Sequence, residues 1–181
     1  MGIFIACVLL IILICLIAIW VASTYNRFQI FTIRINEAET NIDSVLRKRF
    51  DLLNKSIEII KENSEVEDDV LSIIEQLKSK KLSNFELDRK LYDALKEFNK
   101  YKERFPQLKS NDAFVKIDVE ITESEAEIVA FRKYYNDIIT DYNKIVKSFP
   151  TNLVALVFHF KSKLYFDGKD MSDEDIRDFK L

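Results

Sequence analysis

Apolar residues recur at steps of three and four along most of this chain, and the longest such seam runs from Asp112 to Phe149. It reads Phe114, Ile117, Ile121, Ser124, Ile128, Phe131, Tyr135, Ile138, Tyr142, Ile145 and Phe149, the spacing of one helix lying nearly parallel to a partner of similar length. Val129, Ile139 and Val146 widen the stripe, which favours a bundle over an isolated two-stranded coiled coil. A second long seam passes through Phe28, Phe31, Ile35, Ala38, Ile42, Val45, Arg49, Leu52, Ser56 and Ile59 and ends near Asn63. Between the two long seams, two shorter helices are predicted. One runs from Ser64 to about Lys80 behind a Ser64/Glu67 capping box; the other starts after Asn84, carries Leu87, Leu91, Ala94 and Phe98, and stops before Pro106.

Ahead of the first seam, every residue from Ile3 to Ala22 is apolar, twenty in succession. As a helix rising about 1.5 Å per residue, such a run spans about 30 Å, the thickness of a bilayer's hydrocarbon core. No Lys or Arg precedes it and it is longer than a signal-peptide core, so a retained single-pass anchor is expected rather than a cleaved leader. Arg27 and Arg34 follow the run, with Arg47, Lys48 and Arg49 further on. That asymmetry places the short N-terminus outside and the body in the cytoplasm of a cell-membrane protein. Trp20 and Tyr25 stand where interfacial aromatics belong.

The expected fold class is therefore all-α: an N-terminal transmembrane helix continuing into an antiparallel up-and-down bundle of four helices, the first and fourth long. Three stretches follow: 1–22 as the anchor, 23–166 as the bundle and 167–181 as an acidic tail. If the fourth helix returns beside the first, the ends pair as 24 with 149 and 63 with 112, so partner numbers sum to about 174. The short helices reach only part of the way back, which predicts a four-helix core far from the membrane and a two-helix stalk close to it. The same register sets Arg49 opposite Glu125, predicting a buried or half-buried ion pair that fixes how the helices slide.

Composition removes most chemistry. Only Gly2 and Gly168 are glycines, so phosphate-cradling loops, dinucleotide fingerprints and tight β-turns lose the residue on which they depend. The net charge of −3, with acids and bases interleaved, gives no support to a nucleic-acid surface. Cys7 and Cys15 both lie in the apolar run, leaving the body no thiol for disulfides, zinc or nucleophilic catalysis. The single histidine, His159, has Leu156 three positions before it, which excludes the Glu-x-x-His signature of a di-iron bundle. No cofactor or metal is expected, and no nucleophile, base and stabiliser converge to suggest an enzyme.

The residues that remain resemble the LemA family. The resemblance is carried by Tyr25-Asn26, Asn41-Ile42-Asp43, Lys48-Arg49-Phe50-Asp51-Leu52 and Phe105-Pro106-Gln107-Leu108-Lys109. It continues in Arg132, Tyr135-Asn136, Asp141-Tyr142-Asn143, Ser148-Phe149-Pro150, Asn152-Leu153 and Ala155, ending in Tyr165-Phe166. Departures occur at Ala38-Glu39, at Asn54 to Ile57 and at Ala126-Glu127. The resemblance implies a membrane-anchored antiparallel helical bundle with a cytoplasmic body and no settled activity.

Two functions are weighed on these grounds. The first is a scaffold that binds another membrane protein or a second copy of itself, without catalysis. Its candidate interaction surface comprises Tyr135, Asn136, Tyr142, Asn143, Phe149, Leu153, Leu156, Phe158 and Phe160, because a two-helix stalk would leave Phe28, Phe31, Tyr142 and Phe149 incompletely covered. The alternative is a lipid-binding or envelope-remodelling module that uses 151–166 against the bilayer. For the Tyr-Asn pairs at 135 and 142, core packing with a hydrogen-bonded tip is the plainer reading.

Overall fold

A computed structural model describes residues 1–63, 84–103 and 106–166. Among the described residues four α-helices form: α1 (Gly2–Asn63), α2 (Asn84–Glu103), α3 (Asp112–Lys147) and α4 (Thr151–Val157), with a 3-10 turn at Pro106–Ser110. The fold is all-α, and there is no strand among the described residues. The helix predicted from Ser64 to Lys80 and the acidic tail from 167 onward lie outside the described residues. α1 contains no Pro or Gly after Gly2, so nothing in its 62 residues interrupts the backbone ladder where the apolar run gives way to the amphipathic seam.

The chain divides into two compact units. The first takes Met1–Glu37 and Asn136–Tyr165; the second takes Ala38–Tyr135 with Phe166. In the second unit, α1 and α3 run antiparallel. Glu39 meets Tyr135, Lys48 meets Glu127 and Arg49 meets Glu125, so the α3 partner falls in number as the α1 residue rises. These pairs sum to 174, 175 and 174, the register read from helix lengths alone. α2 runs opposite to α3, since Asp88 pairs with Arg132 while Lys102 lies 2.7 Å from Asp118. The interior is filled by Ile42, Leu46 and Leu53 of α1, Leu91 and Phe98 of α2, and Phe114 and Ile128 of α3, all 2% exposed or less. α3 begins at an N-cap, where Asn111 Oδ1 accepts the Phe114 N–H at 3.0 Å and satisfies an otherwise orphaned donor.

In the first unit the two long helices are joined by a third layer. After α3 the chain turns at Pro150, forms α4, and returns as an extended strap over 160–166. The strap covers what two helices alone could not: the Phe160 ring stacks on Phe28 at 4.5 Å, and Phe28 and Tyr142 are 0% and 3% exposed. Phe149, placed on the α3 seam by its spacing, instead lies in the turn beyond the helix and is 80% exposed. The preference of residues before proline for extended backbone accounts for that early stop.

The reversal from α4 into the strap has an unusual residue at its pivot. Phe160 N–H donates to Ala155 O at 2.9 Å and His159 N–H to Leu156 O at 3.3 Å, the paired bonds of a Schellman motif. The left-handed position of that motif normally belongs to glycine; here His159 holds it, with φ of 60°. Its imidazole is exposed, so removing the side chain leaves no cavity. His159→Gly is expected to stabilise the protein by about 0.5–1 kcal/mol, net of the extra freedom glycine gives the unfolded chain. Urea unfolding of the detergent-solubilised full chain measures it; a loss of stability would show that the His159 ring contributes contacts of its own.

Candidate functional site

The residues expected to form one surface separate into an interior set and an outer set. Tyr135, Tyr142 and Asn143 are buried, Asn136 and Phe160 are half-buried, and Phe149, Leu153, Leu156 and Phe158 are exposed.

Each interior residue has a packing role. The Tyr142 ring meets Phe28 edge-on at 6.0 Å and Phe31 at 6.4 Å. Asn143 grips the strap from both sides of its amide: Nδ2 donates to Lys163 O and Oδ1 accepts the Lys163 N–H, both at 2.8 Å. A side-chain amide thus replaces the strand partner that an extended segment otherwise lacks. In the second unit the Tyr135 hydroxyl lies 3.5 Å from Glu39 Oε1, and its ring meets Phe166 edge-on. Burial, with the Glu39 carboxylate beside it, pushes the Tyr135 phenol up to about 12.

Two arginines occupy apolar seams. Arg49, 2% exposed, donates through Nη2 to Glu125, whose carboxylate is partly open to solvent. Arg132 donates through Nη2 to Asp88, which is 3% exposed. The Arg132 guanidinium also lies 5.8 Å from the centre of the Phe166 ring, which in turn stacks on Phe85 at 4.3 Å. The Nε atoms of both arginines are buried without a hydrogen-bond partner among the described residues. Burial raises the Asp88 carboxyl, and the opposing pull of Arg132 does not cancel it. Its surroundings thus favour the neutral carboxyl more than water does.

The Asp88–Arg132 pair went unpredicted, although a signal for it was present. Asp88 falls in step with Leu91, Leu95 and Phe98, and Arg132 with Ile128, Tyr135 and Ile139, so each seam carries one charge of opposite sign. Phe166, whose ring covers both Arg132 and Tyr135, lies in a segment without periodicity, and nothing in its spacing marks it.

None of this forms a reactive centre. Among the described residues no three His, Cys, Asp or Glu side chains are grouped to hold a metal ion. What the arrangement can do is fix register, tie down a strap and leave apolar side chains outside. α1 also carries a stretch long and apolar enough to cross a membrane by length and composition, none of it buried in the protein.

These features define an all-helical protein with a candidate membrane span at the start of its first helix. The chain belongs to the LemA family, whose family model matches residues 38–177. It is also similar to Protein LemA of Metamycoplasma hominis, 28% identical over 150 residues that cover 78% of this chain and 68% of the relative.

Two tests address the buried polar groups. Arg132→Met leaves the Asp88 carboxylate buried without its cation and is expected to cost about 3–5 kcal/mol near neutral pH, whereas Arg132→Met with Asp88→Leu returns close to the parent stability. An acid whose folded-state pKa is raised contributes stability below its unfolded value that disappears as pH climbs through the folded one. The deficit of the single variant should therefore shrink as pH is lowered, relative to the double variant; a deficit constant across pH would mean that packing, and not charge, is lost. The same sign applies to Tyr135. Its neutral phenol is retained in the fold above the usual value near 10, so stability declines as pH rises from about 10 to 12, and Tyr135→Phe should flatten that decline in urea unfolding.

Proposed function

We propose that this chain is a membrane-tethered scaffold of the LemA type, which holds another membrane protein or a second copy of itself beside the bilayer and performs no catalysis. Ile3–Ala22 is the anchor, the short N-terminus lies outside and the helical body is cytoplasmic. The observation that carries this reading is the continuity of α1. The same uninterrupted helix that holds the apolar run also supplies Phe28 and Ile35 to one unit and Ile42 and Leu46 to the other. Insertion of the run therefore ties the first unit to the lipid surface with no flexible linker between them. Orientation follows from Arg27 and Arg34 after the run and the lack of any base before it.

A tether confines encounters to the plane of the membrane, where a weak surface meets its partner at high effective concentration. Chemical crosslinking in intact membranes is expected to give a discrete species larger than the monomer. Monomer alone, with no partner recovered, would remove the scaffold reading. A lipid-binding or envelope-remodelling role for 151–166 is the second reading, favoured by the exposure of Leu153 and Leu156.

A further inference from the structure

The unit that contains the apolar run is basic, although the whole chain carries −3. Its described residues include Arg27, Arg34, Lys144, Lys147, Lys161 and Lys163 against Glu37, Asp137 and Asp141, six positive charges against three. From Tyr142 to Phe166 no acidic residue occurs, and none occurs from Met1 to Asn36. Within this basic stretch α4 turns apolar side chains outward: Leu153, Leu156 and Val157 are 52%, 76% and 67% exposed, and Phe149 precedes them at 80%. A helix of seven residues with so much uncovered hydrocarbon gains little from its own backbone bonds and needs an apolar phase beside it.

The position of α4 along α1 indicates which phase that is. The Tyr25 ring lies 4.8 Å from Phe158 and 5.8 Å from Phe160, so the end of α4 is held level with Tyr25. Tyr25 is three residues beyond Ala22, about 4.5 Å along a helix at about 1.5 Å per residue. The headgroup layer on each side of a bilayer is about 5–7 Å deep. Wherever the apolar run spans, Tyr25 falls within that layer and brings α4 with it. A soluble partner approaching this face would have to displace lipid.

Resting on the reading of α1 as an anchor, we propose that α4 is an interfacial element lying in the headgroup layer of the bilayer that α1 spans. Phe149, Leu153 and Leu156 enter the acyl boundary, and Lys144, Lys147, Lys161 and Lys163 pair with the phosphates of anionic lipids. The first unit is then held to the membrane at two places, α1 and α4. Two attachments at different points along the unit restrict the tilt that a single helix would permit.

The test uses the full chain with Cys7→Ser and Cys15→Ser, carrying one new cysteine labelled with a bimane fluorophore. Leu156→Cys reports on α4 and Leu13→Cys on the anchor. Each is reconstituted in phosphatidylcholine vesicles with or without phosphatidylglycerol, doped with lipids bearing a nitroxide at the headgroup or deep in the acyl chain. The Leu156 probe is expected to be quenched about twofold or more by the shallow nitroxide over the deep one, as for an element buried about 5–10 Å, with the Leu13 probe showing the reverse. Its shallow quenching should weaken when phosphatidylglycerol is omitted and when the four lysines are replaced by Gln; equal signals overturn the part assigned to anionic phosphate. A Leu156 probe unquenched at both depths while the Leu13 probe is quenched deep overturns the proposal and leaves the anchor standing. If shielding of Leu156 from iodide instead follows protein concentration, a second copy covers α4 and the proposal fails. A Leu13 probe that no lipid quenches removes anchor and proposal together.

Discussion

A guanidinium inside a helical core tolerates only one arrangement of its neighbours, and in the second unit two of them constrain three helices. Arg49 of α1 reaches Glu125 of α3, and Arg132 of α3 reaches Asp88 of α2. Sliding either neighbour by one turn, about 5.4 Å, would separate a buried charge from its partner. An unpartnered buried ion costs several kcal/mol, comparable with the whole stability of many domains. The hydrophobic residues supply the drive to associate, and two charge pairs join α1 to α3 and α2 to α3 within that packing.

In the first unit the corresponding constraint is neutral and local. The strap over 160–166 has no strand neighbour, and without one its backbone groups would be buried at a cost. The Asn143 amide meets Lys163 with one donor and one acceptor, while the stacked rings of Phe160 and Phe28 hold the strap's other end. Beyond the strap, Phe166 closes over Arg132, Tyr135 and Phe85 in the second unit. One short stretch of chain thus completes the interior in both places. That is why aromatic residues gather in a segment with no secondary structure of its own.

What could be read in advance follows from how local the signal was. α1 and α3 were legible because a step of three and four persists over many turns, and their pairing sum followed from where each begins and ends. Arg49 and Glu125 were legible because both fall on that sum. Asp88 and Arg132 were not, because placing α2 against α3 needs a register that the length of α2 does not supply. The strap was illegible for a different reason: 160–166 alternates no pattern, and Asn143 joins it through backbone atoms that any residue at 163 would provide. Tyr135, Tyr142 and Asn143 were carried as candidate surface residues, although core packing with a hydrogen-bonded tip was the plainer reading of the Tyr-Asn pairs. A third layer lies over Tyr142 and Asn143, and the ring of Phe166 lies against Tyr135.

That third layer also changes which residues can meet anything else. Had the strap been absent, Phe28 and Tyr142 would have been apolar sites open beside the candidate span, and both belong to long helices whose faces are fixed. With the strap in place they are sealed, and the exposed apolar carbon moves to α4 and the turn at Phe149. α4 is short, ends in a left-handed residue and is held at its start by Thr151, whose hydroxyl lies 2.5 Å from Ile145 O and 2.8 Å from Ser148 O. Only Val154 and Ala155 form its buried side, so these end contacts carry much of its placement. An element fixed at its ends and bare along its side is suited to lying against an extended surface. Of the two occupants that could cover it, a protein or a bilayer, the proposed anchoring of α1 would bring the bilayer to its level.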